Sequence, residues 1–196
     1  PLPGELDANF LLTTPDGVQY ILKIAHPSRS LELFDMENQI MAYLDGKQTP
    51  RVIPSQTGEM IAPLAGGVFV RLLTYLPGEV FACVHHTSEL LRNFGATLGK
   101  LDVGLIGFTH ASMRRALLWD LAKAGEVMRR HQQDLSGNHA LITQFLHRFE
   151  RYAAPHLPYL PWQIIHNDAN DYNVLVENEQ ISGLLDFGDA LYNPRI

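Results

Sequence analysis

The strongest constraint on this chain is a predicted β-hairpin near its last residues, with oxygen-bearing side chains at its open end. Residues 174–177 and 181–185 are apolar, β-prone runs, and the turn between them is Asn178-Glu179. Because a hairpin returns the chain to the edge from which it started, Asn173 and Asp186 meet at that edge. The pattern therefore predicts polar side chains gathered at one end of a two-stranded unit.

The residues around this hairpin follow two motifs in the order that kinases use. His166-Asn167-Asp168 precedes Asn173 with the spacing His-x-Asp-x-x-x-x-Asn, and Asp186-Phe187-Gly188 follows the return strand. In kinases the first motif supplies a base and a metal ligand, and the second supplies another ligand. Mg²⁺ prefers hard oxygen ligands, and an acceptor hydroxyl needs a carboxylate to take its proton. Acidic, Asn-rich loops are also typical of solvated turns, so either motif alone leaves that alternative open.

A lysine in the first third of the chain extends this pattern. Residues 8–14 and 18–25 predict two strands joined by the turn Pro15-Asp16-Gly17. Alternation in the second strand places Lys23 between two apolar neighbours on its own face. An exposed lysine is the simpler interpretation of this run alone. A strand lysine followed by the two motifs is, however, the order found in kinases.

Residues 31–44 predict a helix with a carboxylate on its apolar face. The apolar stripe includes Leu33 and Ile40, and Glu37 falls between them. Burying a carboxylate alone is costly, so an inward Glu37 needs a cationic partner. The alternative is a helix rotated far enough for Glu37 to reach water.

The remaining segments predict a strand-rich first part and a mainly helical second part. The chain changes direction at Leu76-Pro77-Gly78, which places a boundary between residues 1–76 and 77–196. The further strand-like runs are residues 59–64 and 68–76, and the predicted helices are residues 87–102, 112–135 and 138–153, with a break at Ser136-Gly137.

Composition excludes several classes of function. The 15 Lys and Arg residues against 21 Asp and Glu residues give a net charge of −6, which argues against nucleic-acid binding. No apolar run approaches the ~20 residues needed to cross a membrane, and no signal segment opens the chain. A single cysteine, Cys83, excludes an intrachain disulfide and a thiolate zinc site. We therefore expect a cytoplasmic globular protein.

With these segments in place, the sequence resembles the aminoglycoside phosphotransferase/choline kinase superfamily, and within it the hydroxylysine kinase group. Residues 166–176 carry the match to the superfamily, whereas residues 73–78 and Asp186-Phe187-Gly188-Asp189 point to the group. Further matching segments are residues 4–10, 20–24, 70–78 and 119–121. The resemblance thus covers nearly the whole chain.

This resemblance implies roles for the motif residues. Asp168 would be the catalytic base, and Asn173 and Asp186 would bind Mg²⁺. Lys23 would contact the α- and β-phosphates of the nucleotide, and Glu37 would hold Lys23 in place.

The resemblance also implies an α+β, protein-kinase-like fold of two lobes. A small β-rich lobe with one helix, residues 1–76, would lie over a larger and mainly helical lobe, residues 77–196. The backbone of Thr74 and Leu76 would bind the purine of ATP or GTP at the hinge. The chain would be truncated at both ends, since it lacks the strand before residues 4–9 and the helices that wall the acceptor pocket. Bacterial relatives are often joined to an aminotransferase domain, so such a fusion or association is expected.

The expected reaction is Mg²⁺-dependent transfer of a phosphoryl group to the hydroxyl of a small, amine-bearing acceptor such as hydroxylysine. An acidic cleft suits a cationic acceptor, and Asp189 or Asp171 would meet its ammonium, unless these are solvated loop carboxylates. Choline- or ethanolamine-, homoserine- and aminoglycoside-type kinases are alternatives with the same chemistry. A nucleotide-binding module without turnover is the alternative from another class.

Asn167 stands where many relatives have Gly, and Asn tolerates a left-handed backbone.

Overall fold

The computed structural model describes the chain except for residues 3, 5, 47, 132, 133, 135, 136, 138 and 196. Its first third forms an antiparallel sheet. The strands in order across this sheet are β1 (Ala8–Thr13), β2 (Gln19–Ile24), β5 (Phe69–Thr74) and β3 (Val52–Ile53), while β4 (Ala62–Pro63) pairs with another part of β5. The predicted strands 8–14 and 18–25 are confirmed, and the predicted strand 59–64 is reduced to β4.

Helix α1 (Leu31–Tyr43) confirms the helix predicted over residues 31–44. Its first turn is capped by Ser30, whose hydroxyl accepts a hydrogen bond from the Leu33 N–H at 3.3 Å. Its inward face buries Phe34 and Ile40 together with Glu37. The carboxylate therefore points into the protein rather than to water.

The predicted hairpin near the end of the chain is present. Strands β8 (Val174–Glu177) and β9 (Gln180–Leu184) pair antiparallel, and β6 (Glu79–Val80) pairs with β8. Both turn residues, Asn178 and Glu179, have positive φ angles of 51° and 60°, which suits the right-handed twist of a tight hairpin. A separate pair, β7 (Trp162–Ile165) with β10 (Leu191–Pro194), flanks the hairpin's open end in the sequence.

Two of the three helices predicted beyond residue 76 are confirmed. Helix α2 (Ser88–Gly104) begins after Thr87, whose hydroxyl accepts from the Leu90 N–H at 3.1 Å. Helix α4 (His139–Tyr152) matches the prediction for residues 138–153, of which residue 138 is not described. The break expected at Ser136-Gly137 includes an undescribed residue. No helix among the described residues is long and apolar enough to span a membrane.

The helix predicted over residues 112–135 is wrong. The described part of that segment contains the 3₁₀ turns Ala111–Met113 and Leu121–Lys123, and the short helix α3 (Ala124–His131). Within the non-helical stretch, the Arg115 guanidinium donates to the carbonyls of residues 188 and 190. Asp120 then caps the second 3₁₀ turn by accepting from the Ala122 N–H at 3.0 Å.

One apolar cluster joins the two parts of the chain. Ile40 and Leu73 belong to it, together with Leu105, Ile164 and Phe187 from beyond residue 76. This core fixes α1 and β5 against the loops that follow β7 and β9. The boundary after residue 76 stays a prediction.

Candidate active site

The loop after β7 and the loop after β9 are tied together by His166. Its ring is buried, with 3% of the residue exposed. Nε2 donates to the Leu185 carbonyl at 2.9 Å, and Nδ1 accepts from the Asp168 N–H at 3.3 Å. Burial lowers the pKa of His166, which favours the neutral ring that these two bonds require. His166 thereby fixes the distance between the two motif loops.

Asp168 and Asn173 are in direct contact. The Asn173 side-chain N–H group donates to the Asp168 carbonyl and to Asp168 Oδ2, each at 2.9 Å. Asn170 donates to the other carboxylate oxygen, Oδ1, at 2.9 Å. The Asn173 side-chain oxygen has no hydrogen-bond donor within the described part of the chain, so it is available as a ligand. Its orientation is set by the two bonds of the amide nitrogen.

Asn167 adopts the left-handed backbone that the sequence allows for it. Its φ angle is 66°. The Asn193 side chain donates to Asn167 Oδ1 at 3.1 Å. This bond from β10 supports a conformation that most residues adopt only at a cost.

Asp186 also lies in the left-handed region, with φ 56° and ψ 82°. Its Oδ1 accepts from the Gly188 N–H at 3.2 Å, and the preceding residue, Leu185, donates to the Asn173 carbonyl at 2.7 Å. Partial burial acts to raise the pKa of Asp186, but the charge of Lys23 and the Gly188 N–H outweigh it and hold that pKa below its usual value. The carboxylate is therefore ionised at neutral pH.

Lys23 lies at this site rather than in bulk water. Its side chain is 10% exposed, and Nζ is 3.6 Å from Asp186 Oδ2 and 4.0 Å from Asp7 Oδ2. The exposed lysine that the strand alone favoured is therefore wrong. The structure brings Lys23 and Asp186 together.

The predicted contact between Lys23 and Glu37 needs correction. Glu37 forms ion pairs with Arg71 and Arg29. Lys23 is directly opposite Arg71 in the β2–β5 register, so both side chains lie on the same face of the sheet. Glu37 of α1 reaches that face and pairs there with Arg71 rather than with Lys23. The longer, forked guanidinium of Arg71 takes the carboxylate and also donates to Asn38 Oδ1 at 2.7 Å. Glu37 is buried and paired as the helix pattern required, but with a different cation.

Three charged residues at this site were not singled out from the sequence. Arg71 interrupts an apolar strand, which was a usable signal. Arg29 precedes the helix, and its guanidinium lies so close to Gly188 that a Cβ there would be 3.2 Å from it. Asp7 accepts from the His26 N–H at 3.1 Å and lies 3.9 Å from Arg29 Nε. Loop residues of this kind have no periodicity to reveal their orientation.

The predicted hinge begins at Thr74, the last residue of β5. The Thr74 N–H donates to the Arg51 carbonyl at 2.9 Å, and the Thr74 hydroxyl accepts from the Arg51 N–H at 2.9 Å. Leu76 packs over the hairpin, since a Cβ on Gly183 would lie 2.8 Å from a Leu76 methyl group and 3.3 Å from Leu175. Leu76 therefore lies next to the hairpin whose open end carries Asn173.

The two candidates for the acceptor ammonium differ in their surroundings. Asp189 accepts a hydrogen bond from Trp119 Nε1 at 3.1 Å. Partial burial and the nearby charge of Asp168 raise the pKa of Asp189. Asp171 is exposed, and its carbonyl accepts from the Ala82 N–H at 2.9 Å. Asp189 is thus placed within electrostatic reach of Asp168.

Comparison with known proteins adds an independent line of evidence. The model of the phosphotransferase enzyme family matches residues 1–196. Hydroxylysine kinase from Mus musculus is 32% identical over 225 aligned residues, covering 98% of this chain and 60% of the relative. Hydroxylysine kinase from Danio rerio is 26% identical, covering 96% and 59%. The chain therefore spans about 60% of the length of the curated relatives it matches.

Solved structures share the fold at lower identity. An amicoumacin kinase in complex with AMP-PNP and Ca²⁺ has a TM-score of 0.70 at 21% identity, covering 98% of this chain and 59% of that one. An aminoglycoside phosphotransferase with GDP and kanamycin has a TM-score of 0.69 at 16% identity, covering 97% and 67%. The chain has the α+β, protein-kinase-like fold that these neighbours share, as the resemblance implied.

Proposed function

Because this chain belongs to the phosphotransferase enzyme family, we propose that it transfers the γ-phosphoryl group of ATP or GTP to a hydroxyl of a small, amine-bearing acceptor such as hydroxylysine. The observation that carries this proposal is the convergence of Asp168, Asn173 and Asp186 around His166, with the Lys23 ammonium 3.6 Å from Asp186. Phosphoryl transfer needs positioning and charge stabilisation more than covalent chemistry from the protein. The site holds groups for both.

Asp168 fits the role of the base. Its carboxylate is held by the amide groups of Asn170 and Asn173, which orient both oxygens but leave lone pairs for an acceptor hydroxyl. The Asp168 N–H bond to His166 fixes the loop beneath it. A fixed carboxylate within reach of a hydroxyl is what general-base assistance requires.

The residues present fit a divalent metal bound together with a nucleotide. Among the described residues, no group of three His, Cys, Asp or Glu side chains forms a metal cluster. Mg²⁺, however, is typically held by one or two carboxylates plus substrate phosphates, and an ionised Asp186 with the Asn173 oxygen matches that set. When bound, the metal would neutralise charge on the transferred group. Lys23, next to Asp186, would contact the phosphates.

The names of the relatives favour an acceptor that carries an amine. Hydroxylysine and aminoglycosides such as kanamycin both do so. Asp189, without a salt-bridge partner among the described residues, is the better candidate for an ammonium contact than the exposed Asp171. Choline- or ethanolamine- and homoserine-type acceptors fit the same chemistry. A nucleotide-binding module without turnover remains the alternative, since the chain covers only part of its relatives.

The proposal is tested by release of nucleoside diphosphate with ATP or GTP and an acceptor panel of hydroxylysine, choline, ethanolamine, homoserine and kanamycin. Asp168→Asn is expected to lower kcat by about 10²–10⁴-fold, the usual contribution of a general base. Asp16→Asn, in the β1–β2 turn, is the matched control and should not change kcat. Nucleotide binding with no turnover on any acceptor would favour the module. Turnover that survives Asp168→Asn would refute the assigned base.

A further inference from the structure

The hydrogen bonds between Thr74 and Arg51 are unusual for an antiparallel pair. In a hydrogen-bonded pair of this kind, each residue donates its N–H to the other's carbonyl. Thr74 donates to the Arg51 carbonyl at 2.9 Å as expected. The Arg51 N–H, however, donates to the Thr74 hydroxyl at 2.9 Å instead of the Thr74 carbonyl. One bond of the usual exchange has moved from backbone to side chain.

The neighbouring strand on the other side does not use the Thr74 carbonyl either. Ala25 donates to the Phe69 carbonyl at 2.8 Å, which identifies that pair as hydrogen-bonded. Hydrogen-bonded and non-hydrogen-bonded pairs alternate along the ladder. The pair of Tyr20 with Thr74 lies five positions along the β2–β5 register from the pair of Ala25 with Phe69. It is therefore a non-hydrogen-bonded pair. Within the described residues, the Thr74 carbonyl is therefore left without a donor.

We infer that the Thr74 hydroxyl keeps its own carbonyl free, so that this carbonyl accepts a hydrogen bond from the base of the bound nucleotide. The inference rests on the proposed function, and in particular on the hinge at Thr74 and Leu76. The Leu76 N–H also has no acceptor in the part of the chain that is described. A free acceptor and a free donor two residues apart match a purine edge, either the adenine amino group and N1 or the guanine N1–H and O6.

Thr74 is thus a positioning residue that acts through the Arg51 N–H. Without its hydroxyl, that N–H is an unpaired donor whose nearest replacement acceptor in the ladder is the carbonyl at position 74. An unpaired donor at a strand is costly, so it would take this carbonyl. The base would then compete with the backbone for one acceptor. The consequence is weaker recognition of the base with no change in binding of the phosphates.

The test compares Thr74→Val, which removes the hydroxyl at constant shape, with Thr74→Ser, which keeps it. The ligands, measured by calorimetry in the presence of Mg²⁺, are ATP, GTP, tripolyphosphate and purine riboside triphosphate, whose ring lacks a donor on that edge. We expect Thr74→Val to bind the preferred nucleotide about 3- to 10-fold more weakly, the effect of one hydrogen bond. Purine riboside triphosphate and tripolyphosphate should bind as they do to the parent chain. Thr74→Ser should restore the parent chain's ratio of affinities for the preferred nucleotide and purine riboside triphosphate.

Thr13→Val, on the exposed face of β1, is the matched control for removing a strand hydroxyl. Equal weakening of ATP, GTP and purine riboside triphosphate by Thr74→Val would overturn the inference, because it would indicate a purely structural role. Unchanged binding of all four ligands would also overturn it. If the parent chain binds neither nucleotide nor tripolyphosphate, the proposed function fails, and the inference fails with it.

Discussion

Replacing Glu37 by Gln tests whether the carboxylate of α1 stabilises the fold or holds Lys23. Glu37 is fully buried, with its side chain 1% exposed, and its partners Arg71 and Arg29 are 2% and 15% exposed. Gln preserves the volume but removes the charge. Arg71 would be left with its guanidinium buried 4.3 Å from the Phe34 ring centre and without a salt-bridge partner among the described residues. The cost is therefore that of an uncompensated buried cation.

Breaking one side of a buried ion pair typically costs about 3–5 kcal/mol. In a chain of this size each kcal/mol lowers Tm by about 2–4 °C, so the expected loss is about 6–20 °C. Arg29 is partly exposed and regains water, which places the expectation in the lower half of that range. The assay is thermal unfolding followed by circular dichroism. Glu32→Gln, an exposed carboxylate in the first turn of the same helix, is the control and should change stability by less than about 0.5 kcal/mol.

A double variant sharpens the test. Arg71→Met alone leaves Glu37 with one cation, whereas Glu37→Gln combined with Arg71→Met removes both buried charges. The double variant should therefore cost less than the sum of the single variants, as expected for residues in direct contact. The reasoning is refuted if Glu37→Gln melts within about 2 °C of the parent and weakens nucleotide binding as much as Lys23→Met does. That result would mean that Glu37 acts on Lys23 after all.

Three further predictions concern the motif loops. Asp186→Asn should weaken Mn²⁺ binding, measured by electron paramagnetic resonance, at least about tenfold, since it removes the only formal negative charge of the proposed ligand pair; unchanged Mn²⁺ affinity would place the metal elsewhere. Gly188→Ala should lower the free energy of unfolding in urea by about 1–3 kcal/mol, because the added Cβ would lie 3.0 Å from Asp186 Oδ1 and 3.2 Å from the Arg29 guanidinium. Gly95→Ala, whose Cβ would have nothing within 4 Å, should instead stabilise the protein. Equal effects of the two substitutions would contradict the close contact at Gly188. Because burial lowers the pKa of His166, the unfolded chain binds more protons at this residue than the folded chain does below about pH 6.5. The His166 contribution to the free energy of unfolding should therefore fall as the pH drops below about 6.5 and stay flat above it. An equally steep fall in His166→Gln would assign the effect to another group.

The hairpin could be predicted from sequence because its determinants are local. Apolar strands, a two-residue turn and polar residues at both ends lie within a short segment, and the observed β8 and β9 follow them closely. The same holds for α1, where spacing alone placed Glu37 inside. Such patterns predict which side chains point inward. They do not identify the partner that a buried charge meets.

The errors share one cause, which is competition from residues far away in the sequence. Residues 114–119 are not helical, and the side chains of Arg115 and Trp119 bind the loop around Asp189. Glu37 pairs with Arg71 because strand β5 places that side chain opposite Lys23. Neither contact leaves a periodic signal. Both require knowing which strands and loops lie next to each other.

The charges between the sheet, α1 and the Asp186 loop form a balanced cluster that still has unused donors. All of them are largely buried except Asp186, whose side chain is 49% exposed. The cations are Lys23, Arg29 and Arg71, and the anions are Asp7, Glu37 and Asp186. Balance allows these groups to be buried, since each charge lies near one of opposite sign. The Lys23 ammonium, however, is 3.6 and 4.0 Å from its carboxylates, and Arg29 Nε has no hydrogen-bond partner among the described residues. The Lys23 ammonium is thus held by charge while keeping N–H groups for a further anion. Most of the Arg71 guanidinium is committed to Glu37 and Asn38, although its Nε also has no hydrogen-bond partner among the described residues. If Lys23 binds the phosphates as proposed, the cluster has a structural half at Glu37 and a ligand-binding half at Lys23. Loss of Glu37 is therefore expected to reduce stability first and nucleotide binding only as a consequence.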